Sequence, residues 1–183
     1  VRAKVDRAGH ADAAAERFGW VPGKAPSGRG VGVACSIYLG TYVATLAEVA
    51  VDKTTGRVNV KRIVCAQEMG LIVNPEGARL QMEGALTMGL GYALSEEVHF
   101  KGGQILDAGF DTYGITRFSW LPKIETILID APEIPASGCG EPPITGVGAV
   151  VANAIFDATG ARLYQLPMTP ARLKEALGKN LQP

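Results

Sequence analysis

The chain has 183 residues, enough for one ordinary domain or two small ones. Apolar residues make up 47% and charged residues 20%, which supplies a core and argues against a disordered polymer. Eighteen Lys and Arg balance eighteen Asp and Glu with no long basic run, so nucleic acid has no electrostatic footprint here, and no apolar run reaches the ~18 residues of a membrane span.

In chain order, residues 1–20 read as a helix already under way at Val1, so the chain reads as part of a larger protein or as a processed start. Ala11–Arg17 is its helical part, and Gly19 and Pro22 end it. Residues 21–30 form a Pro/Gly/Ser-rich connector. From Val31 to Val51 apolar residues recur at period two (Val31, Val33, Cys35, Ile37, Leu39, Val43, Val49 and Val51), which predicts strand, with Gly40 marking a bulge or bend between two segments. Residues 52–57 are a turn, and Val58–Ala66 returns as an antiparallel strand.

Residues 74–95 carry the strongest helix signal: Asn74 as N-cap, Pro75 in the first position and Glu76 at the positive end of the dipole. Ala78, Met82, Ala85, Leu86, Gly89 and Ala93 share one face. Gly84, Gly89 and Gly91 each cost about 1 kcal/mol relative to Ala, so close approach by another backbone or a ligand is expected at that face. Residues 97–100 and 104–106 pair as a hairpin, and Ile124–Ile129 is another strand. Residues 131–145 are an irregular loop, Gly146–Thr159 a helix stopped by Gly160, and Thr169-Pro170 starts a short helix through Leu177. The pattern is α+β, with helices packed on a mostly antiparallel sheet. The organisation is an N-terminal helix and linker over 1–28, a domain over 29–178 and a tail over 179–183. The glycine-bearing face of the long helix and the loop at 137–143 are expected to be poorly covered.

The cysteines at 35, 65 and 139 have no CxxC spacing, so neither an iron–sulfur site nor a disulfide framework is expected. Cys35 and Cys65 read as buried reduced thiols, and Cys139 as a small packed side chain rather than a reactive thiol. Glu141 is the lone carboxylate in Gly138-Cys139-Gly140-Glu141-Pro142-Pro143, a turn stiffened by two prolines. A fixed, uncrowded carboxylate suits a general base. The other reading is that Glu141 complements the dipole of the following helix. Gln81, in Gln81-Met82-Glu83-Gly84, offers amide donors and an acceptor to the edge of a heterocycle, or lies on a solvated face. Tyr113 either lines a pocket or packs at a strand end.

At these residues the chain resembles the C-terminal part of the molybdenum-binding large subunit of the molybdenum hydroxylases, the xanthine dehydrogenase and aldehyde oxidase family. It is most similar in flavour to isoquinoline 1-oxidoreductase beta-type subunits. The stretches that carry the resemblance are Gly40-Thr41-Tyr42-Val43-Ala44 through Val49, Val73-Asn74-Pro75, Gln81-Met82-Glu83-Gly84-Ala85 with Gly89-Leu90-Gly91, Gly140-Glu141-Pro142-Pro143, and 152–160. The resemblance implies a larger molybdopterin-binding domain of which this α+β unit is a part. It implies hydroxylation of an aldehyde or N-heterocycle with water as the oxygen source. Glu141 would be the general base, Gln81 and Gly140 would bind the pterin cofactor, and no side chain would ligate the metal. The cofactor implied is molybdenum-molybdopterin in its cytosine dinucleotide form, with [2Fe-2S] and FAD or haem on partner subunits. The partners implied are the remaining part of the molybdenum-binding subunit, an iron–sulfur subunit and a small-molecule substrate. The resemblance points to the cytoplasm, with a periplasm-facing location as the other option. The alternative class is a non-catalytic structural or interaction module derived from the same family.

Overall fold

The computed structural model describes residues 7–21 and 28–179. The connector at 22–27, with Pro22, and the end of the tail at 180–183 lie outside the described residues. Strands β1 (Arg29–Tyr38), β2 (Thr41–Asp52), β3 (Arg57–Glu68) and β6 (Lys123–Ile129) form one sheet in the order β1-β2-β3-β6. The first two pairings are antiparallel, and β6 lies parallel to β3. A two-residue ladder, β4 (Phe100–Lys101) and β5 (Gln104–Ile105), stands apart from it. Helix α1 (Arg7–Phe18) covers one face of the sheet, where Ala14 packs with Ala44, Leu46, Val64 and Ala66. The helices α2 (Pro75–Leu94), α3 (Val147–Thr159) and α4 (Pro170–Lys179) bury the other face, around Ile63, Met82, Leu86, Ile155 and Leu173. The chain is α+β with a mostly antiparallel sheet.

Period two was the correct signal for β1 and β2, but the two apolar rows do not share a face. Of the bulge or bend expected at Gly40, the structure has a tight turn between the two segments: Leu39 and Gly40 both take positive φ, 46° and 82°, and Tyr38 pairs with Thr41. A two-residue hairpin flips parity, because paired residues point the same way. Val43, Val49 and Val51 therefore face the main core, while Val33, Cys35 and Ile37 face the α1 side. There α1 covers β2 and β3 better than the edge strand, so Cys35 is exposed, contrary to expectation. Strand β3 corrects its own phase with a bulge opposite Glu48/Val49. The extra residue, exposed Lys61, lets Val58 and Val60 before it and Ile63 and Cys65 after it all face the main core.

The two sides are fastened differently. On the α1 side, Arg62 donates to the last carbonyls of the helix, Arg17 O at 2.9 Å and Phe18 O at 2.7 Å, and its guanidinium lies over the Phe18 ring. On the other side, α3 sits directly on the β1 backbone. A Cβ at Gly32 would meet Val150 O at 2.0 Å, and one at Gly30 would meet Ala154 O at 2.2 Å. Asn153 and Asp157 then bond the free edge of β1, at Val33 O (3.0 Å) and Val31 N (2.9 Å).

The glycines of α2 are filled mostly from within the chain, which corrects the expectation of an open face. A Cβ at Gly89 would meet Val147 Cγ2 at 2.7 Å, and one at Gly91 would meet Glu96 Oε1 at 1.9 Å. Gly84 has nothing within 4 Å. The exposed apolar side chains of α2 are instead Leu80, Met88 and Tyr92.

Gly32→Ala should destabilise the protein by about 1–3 kcal/mol, because the backbone of α3 must shift. Gly84→Ala, in open space on the same fold, should stabilise it by up to about 1 kcal/mol. Thermal melts check both, and a Gly32→Ala protein that melts with the wild type contradicts the close approach.

Several carboxylates lie below their ordinary range: Glu125 through hydrogen bonds from Arg62 and Lys123, Glu97 through Arg172, and Asp107 through the His99 amide. A depressed folded-state pKa means stability that is present above the ordinary values of 3.8 and 4.5 and lost as the pH falls through the folded values. Melting temperature should therefore fall on acidification below about pH 4. Arg62→Met should shrink that acid-dependent loss, and an unchanged pH slope would contradict it.

Candidate active site

The site grows from the end of β3. Residues Gln67 and Glu68 close that strand fully buried, and Gly70, at φ 79°, turns the chain out of it. A side chain at Gly70 would collide with Pro135 O at 2.3 Å, so the turn lies flat against the 134–137 segment. Glu68 Oε1 accepts from Gly70 N at 2.7 Å and fixes the turn. Asn74 then caps α2, accepting from Gly77 N at 3.0 Å, as the sequence predicts. Two turns along, Gln81 is exposed and its amide meets the glycine loop. A Cβ at Gly140 would lie 2.7 Å from Gln81 Oε1, so the end of this exposed side chain rests close against the glycine. The fold thus brings Gln81 to Gly140 and its neighbour Glu141, some sixty residues on in the sequence.

Glu141 is exposed at the start of a 3-10 turn, Pro142–Gly146, that leads into α3. Its side chain makes no capping hydrogen bond and, among the described residues, no ion pair. Its backbone is held on both sides. Upstream, Thr41 Oγ1 contacts Ser137 Oγ at 2.7 Å and donates to Gly138 O at 2.9 Å, while Gln67 Nε2 donates to Cys139 O at 3.2 Å. Ser137 N also donates to Met69 O at 2.8 Å. Downstream, Pro142 and Pro143 are buried, and Thr145 Oγ1 reaches Pro142 O and Ser36 Oγ at 2.7 and 2.8 Å. Exposure in this loop is partial: Gly138 and Glu141 are open, and the prolines are covered.

Thr41 and Gln67 were not singled out from the sequence. The available signal was a polar residue at the end of an apolar strand beside a turn glycine, Gly40 or Gly70. Tyr113 lies elsewhere: its hydroxyl donates to Glu96 at 2.8 Å, beyond the C-terminal end of α2, and that carboxylate raises its pKa. A cavity of about 740 Å³ lined by Arg57, Lys61, Leu94, Trp120 and Met168 includes neither Gln81 nor Glu141. Cys65 is buried as expected, and burial pushes its thiol up to about 12. Cys139 is half-buried.

Residues 15–122 match the molybdopterin cofactor-binding domain family. The chain belongs to that family. Among curated relatives, a nicotinate dehydrogenase subunit of Pseudomonas putida is 36% identical over 182 residues, covering 91% of this chain and 15% of the relative. The beta subunit of isoquinoline 1-oxidoreductase from Brevundimonas diminuta is 32% identical over 159 residues, covering 86% and 20%. The solved structure of aldehyde oxidoreductase from Desulfovibrio gigas superposes with a TM-score of 0.68 at 33% identity, over 75% of this chain and 15% of that one. The resemblance to the molybdenum-binding subunits of molybdenum hydroxylases therefore holds. This molybdopterin-binding chain spans only about a fifth or less of the length of these relatives. The family match includes Gln81 and stops before Glu141.

In this molybdopterin-binding chain, an alkylating reagent at mildly alkaline pH should modify Cys35 in the native state and leave Cys65 untouched until unfolding. Mass spectrometry of timed samples checks the order, and early modification of Cys65 would contradict the packing of β3.

Proposed function

We propose that this chain carries the proton-accepting part of a molybdenum hydroxylase site, within an enzyme that oxidises an aldehyde or N-heterocycle with water as the oxygen source. The supporting observation is the placement of the Gln81 amide against Gly140, directly beside a carboxylate that makes no capping bond and no ion pair among the described residues. The Gln81 amide lies beside the bare Gly140, and its donors and acceptor suit a pterin edge. In this reading residues 29–178 are the cofactor-binding domain, and Gln81 and Gly140 are its cofactor-binding positions. The group is molybdenum-molybdopterin in the cytosine dinucleotide form, and when bound it supplies the redox chemistry. Iron–sulfur clusters and FAD or haem belong to partner subunits, and the rest of the molybdenum-binding subunit completes the pocket.

Glu141 acts as general base, taking a proton on a carboxylate oxygen as the attacking oxygen forms its bond to substrate carbon. The lack of a capping bond weighs against the dipole reading, since nothing ties the carboxylate to the turn that follows. The Gln81 amide holds the cofactor alike in ground and transition states, so it contributes uniform binding.

Glu141→Gln keeps size and some hydrogen bonding but cannot accept the proton. In the assembled enzyme it should lose about 10²–10⁴-fold in turnover per molybdenum while keeping its metal. A merely structural Glu141 would instead lose about 0.3–1 kcal/mol of stability with near-normal turnover. Gln81→Ala should lower molybdenum content, by a hydrogen bond of about 0.5–1.5 kcal/mol, and spare turnover per bound metal. Full metal loading with collapsed turnover would contradict that role.

A further inference from the structure

The polar groups that hold residues 137–139 are buried where the fold itself has little use for them. Thr41 and Gln67 are both 0% exposed. Each begins or ends a strand, each faces the α2/α3 side of the sheet, and each spends its donor on a carbonyl of the same loop. Gln67 Oε1 stays buried with no partner among the described residues. An unpaired buried acceptor is destabilising. An apolar residue at 67 would relieve it, but would leave Cys139 O unpaired instead.

We propose that Thr41 and Gln67 are a positioning pair that sets the reach of Glu141. The inference rests on Glu141 being the general base. Successive carbonyls, Gly138 O and Cys139 O, are pinned 2.9 and 3.2 Å from side chains of two neighbouring strands. Peptide planarity transmits this. Pinning Cys139 O fixes the plane that carries Gly140 N, so the rotations of Gly140 are what separates the pinned backbone from Glu141. Glycines at 138 and 140 would otherwise leave the approach to Glu141 looser. The prolines and Thr145 fix the exit. Between the two anchors only Gly140 and Glu141 are left without a carbonyl pinned by a side chain of the described residues. The Thr41 hydroxyl also meets that of Ser137, which itself donates to Met69 O at 3.1 Å and so ties the loop to the residue after β3. Neither Thr41 nor Gln67 is placed against substrate or cofactor; both act through the loop.

The experiment uses the whole assembled enzyme with Thr41→Val, Thr41→Ser, Gln67→Met and Glu141→Gln. Two readouts are taken: steady-state kinetics normalised to molybdenum, and amide hydrogen exchange of residues 138–141. Thr41→Val and Gln67→Met should each lower kcat about 10–100-fold, the scale of a misplaced catalytic group. KM and molybdenum content should stay within about twofold, since substrate and cofactor contacts are untouched. Exchange at 138–141 should speed up in both while helix α3 stays protected. Thr41→Ser restores the hydroxyl and should restore both readouts. Wild-type kcat in Thr41→Val and Gln67→Met, beside an inactive Glu141→Gln enzyme, overturns the positioning role and leaves the base intact. Unchanged exchange in both overturns it as well. An active Glu141→Gln enzyme overturns the base and this inference together. If Thr41→Val does not assemble, Gln67→Met decides by the same criteria.

Discussion

Helix α3 rests on bare backbone, and the site depends on that contact. Gly30 and Gly32 leave no side chain between β1 and the helix, and Val150 O and Ala154 O come to within 2.0–2.2 Å of where a Cβ would stand. Asn153 and Asp157 add hydrogen bonds to the strand edge, so position along β1 as well as distance from it is fixed. From the other side Gly89 of α2 takes the Val147 side chain. The start of α3 is thereby gripped between sheet and α2, and the 3-10 turn that begins after Glu141 has one place to start. A larger side chain at any of the three glycines would push α3 outward and carry residues 141–146 with it.

The loop before α3 is held by polar contacts because packing has nothing to grip. Residues 137–140 are Ser, Gly, Cys and Gly, with almost no apolar surface to bury. Hydrogen bonds from Thr41, Gln67 and Ser137 take over, and the burial of Thr41 and Gln67 keeps water from competing for theirs. The result is a rigid backbone under an unencumbered carboxylate. Reacting groups in catalytic sites are commonly held in place this way by the residues behind them.

Local rules made the helices legible. Asn74, Pro75 and Gly160 mark helix ends in the sequence and do so in the fold, Gly160 with φ 77°. The α+β class followed from the alternation of strand pairs and helices. What stayed hidden depends on contacts between distant residues. The Leu39-Gly40 turn reversed the faces of two strands whose apolar rows run in step along the sequence. The glycines of α2 signalled a close approach, but only the fold gives the neighbours as Val147 and Glu96. Cys35 occupies a strand-like apolar position, yet sits on an edge strand that α1 does not reach across, and so is exposed. Glu141 stood out as a lone carboxylate in a Gly/Pro turn and Gln81 as an amide on a glycine-rich helix, and the motif resemblance then favoured a functional reading of both. Their meeting at Gly140 comes from the fold, as do the hydrogen bonds of Thr41 and Gln67 behind them.

One glycine turn seats the Gln81 amide and the Glu141 carboxylate side by side, the pair proposed above to bind cofactor and accept a proton. A crystal structure of the complete molybdenum-binding chain with its cofactor loaded tests that assignment most directly. The expected result has the Gln81 amide within hydrogen-bond distance of the pterin, and the Glu141 carboxylate facing the metal from the Gly140 turn, with Gly138 O and Cys139 O still bound by Thr41 and Gln67. Cofactor bound away from the Gly140 turn, or Glu141 directed into solvent or into a salt bridge with another domain, would contradict it.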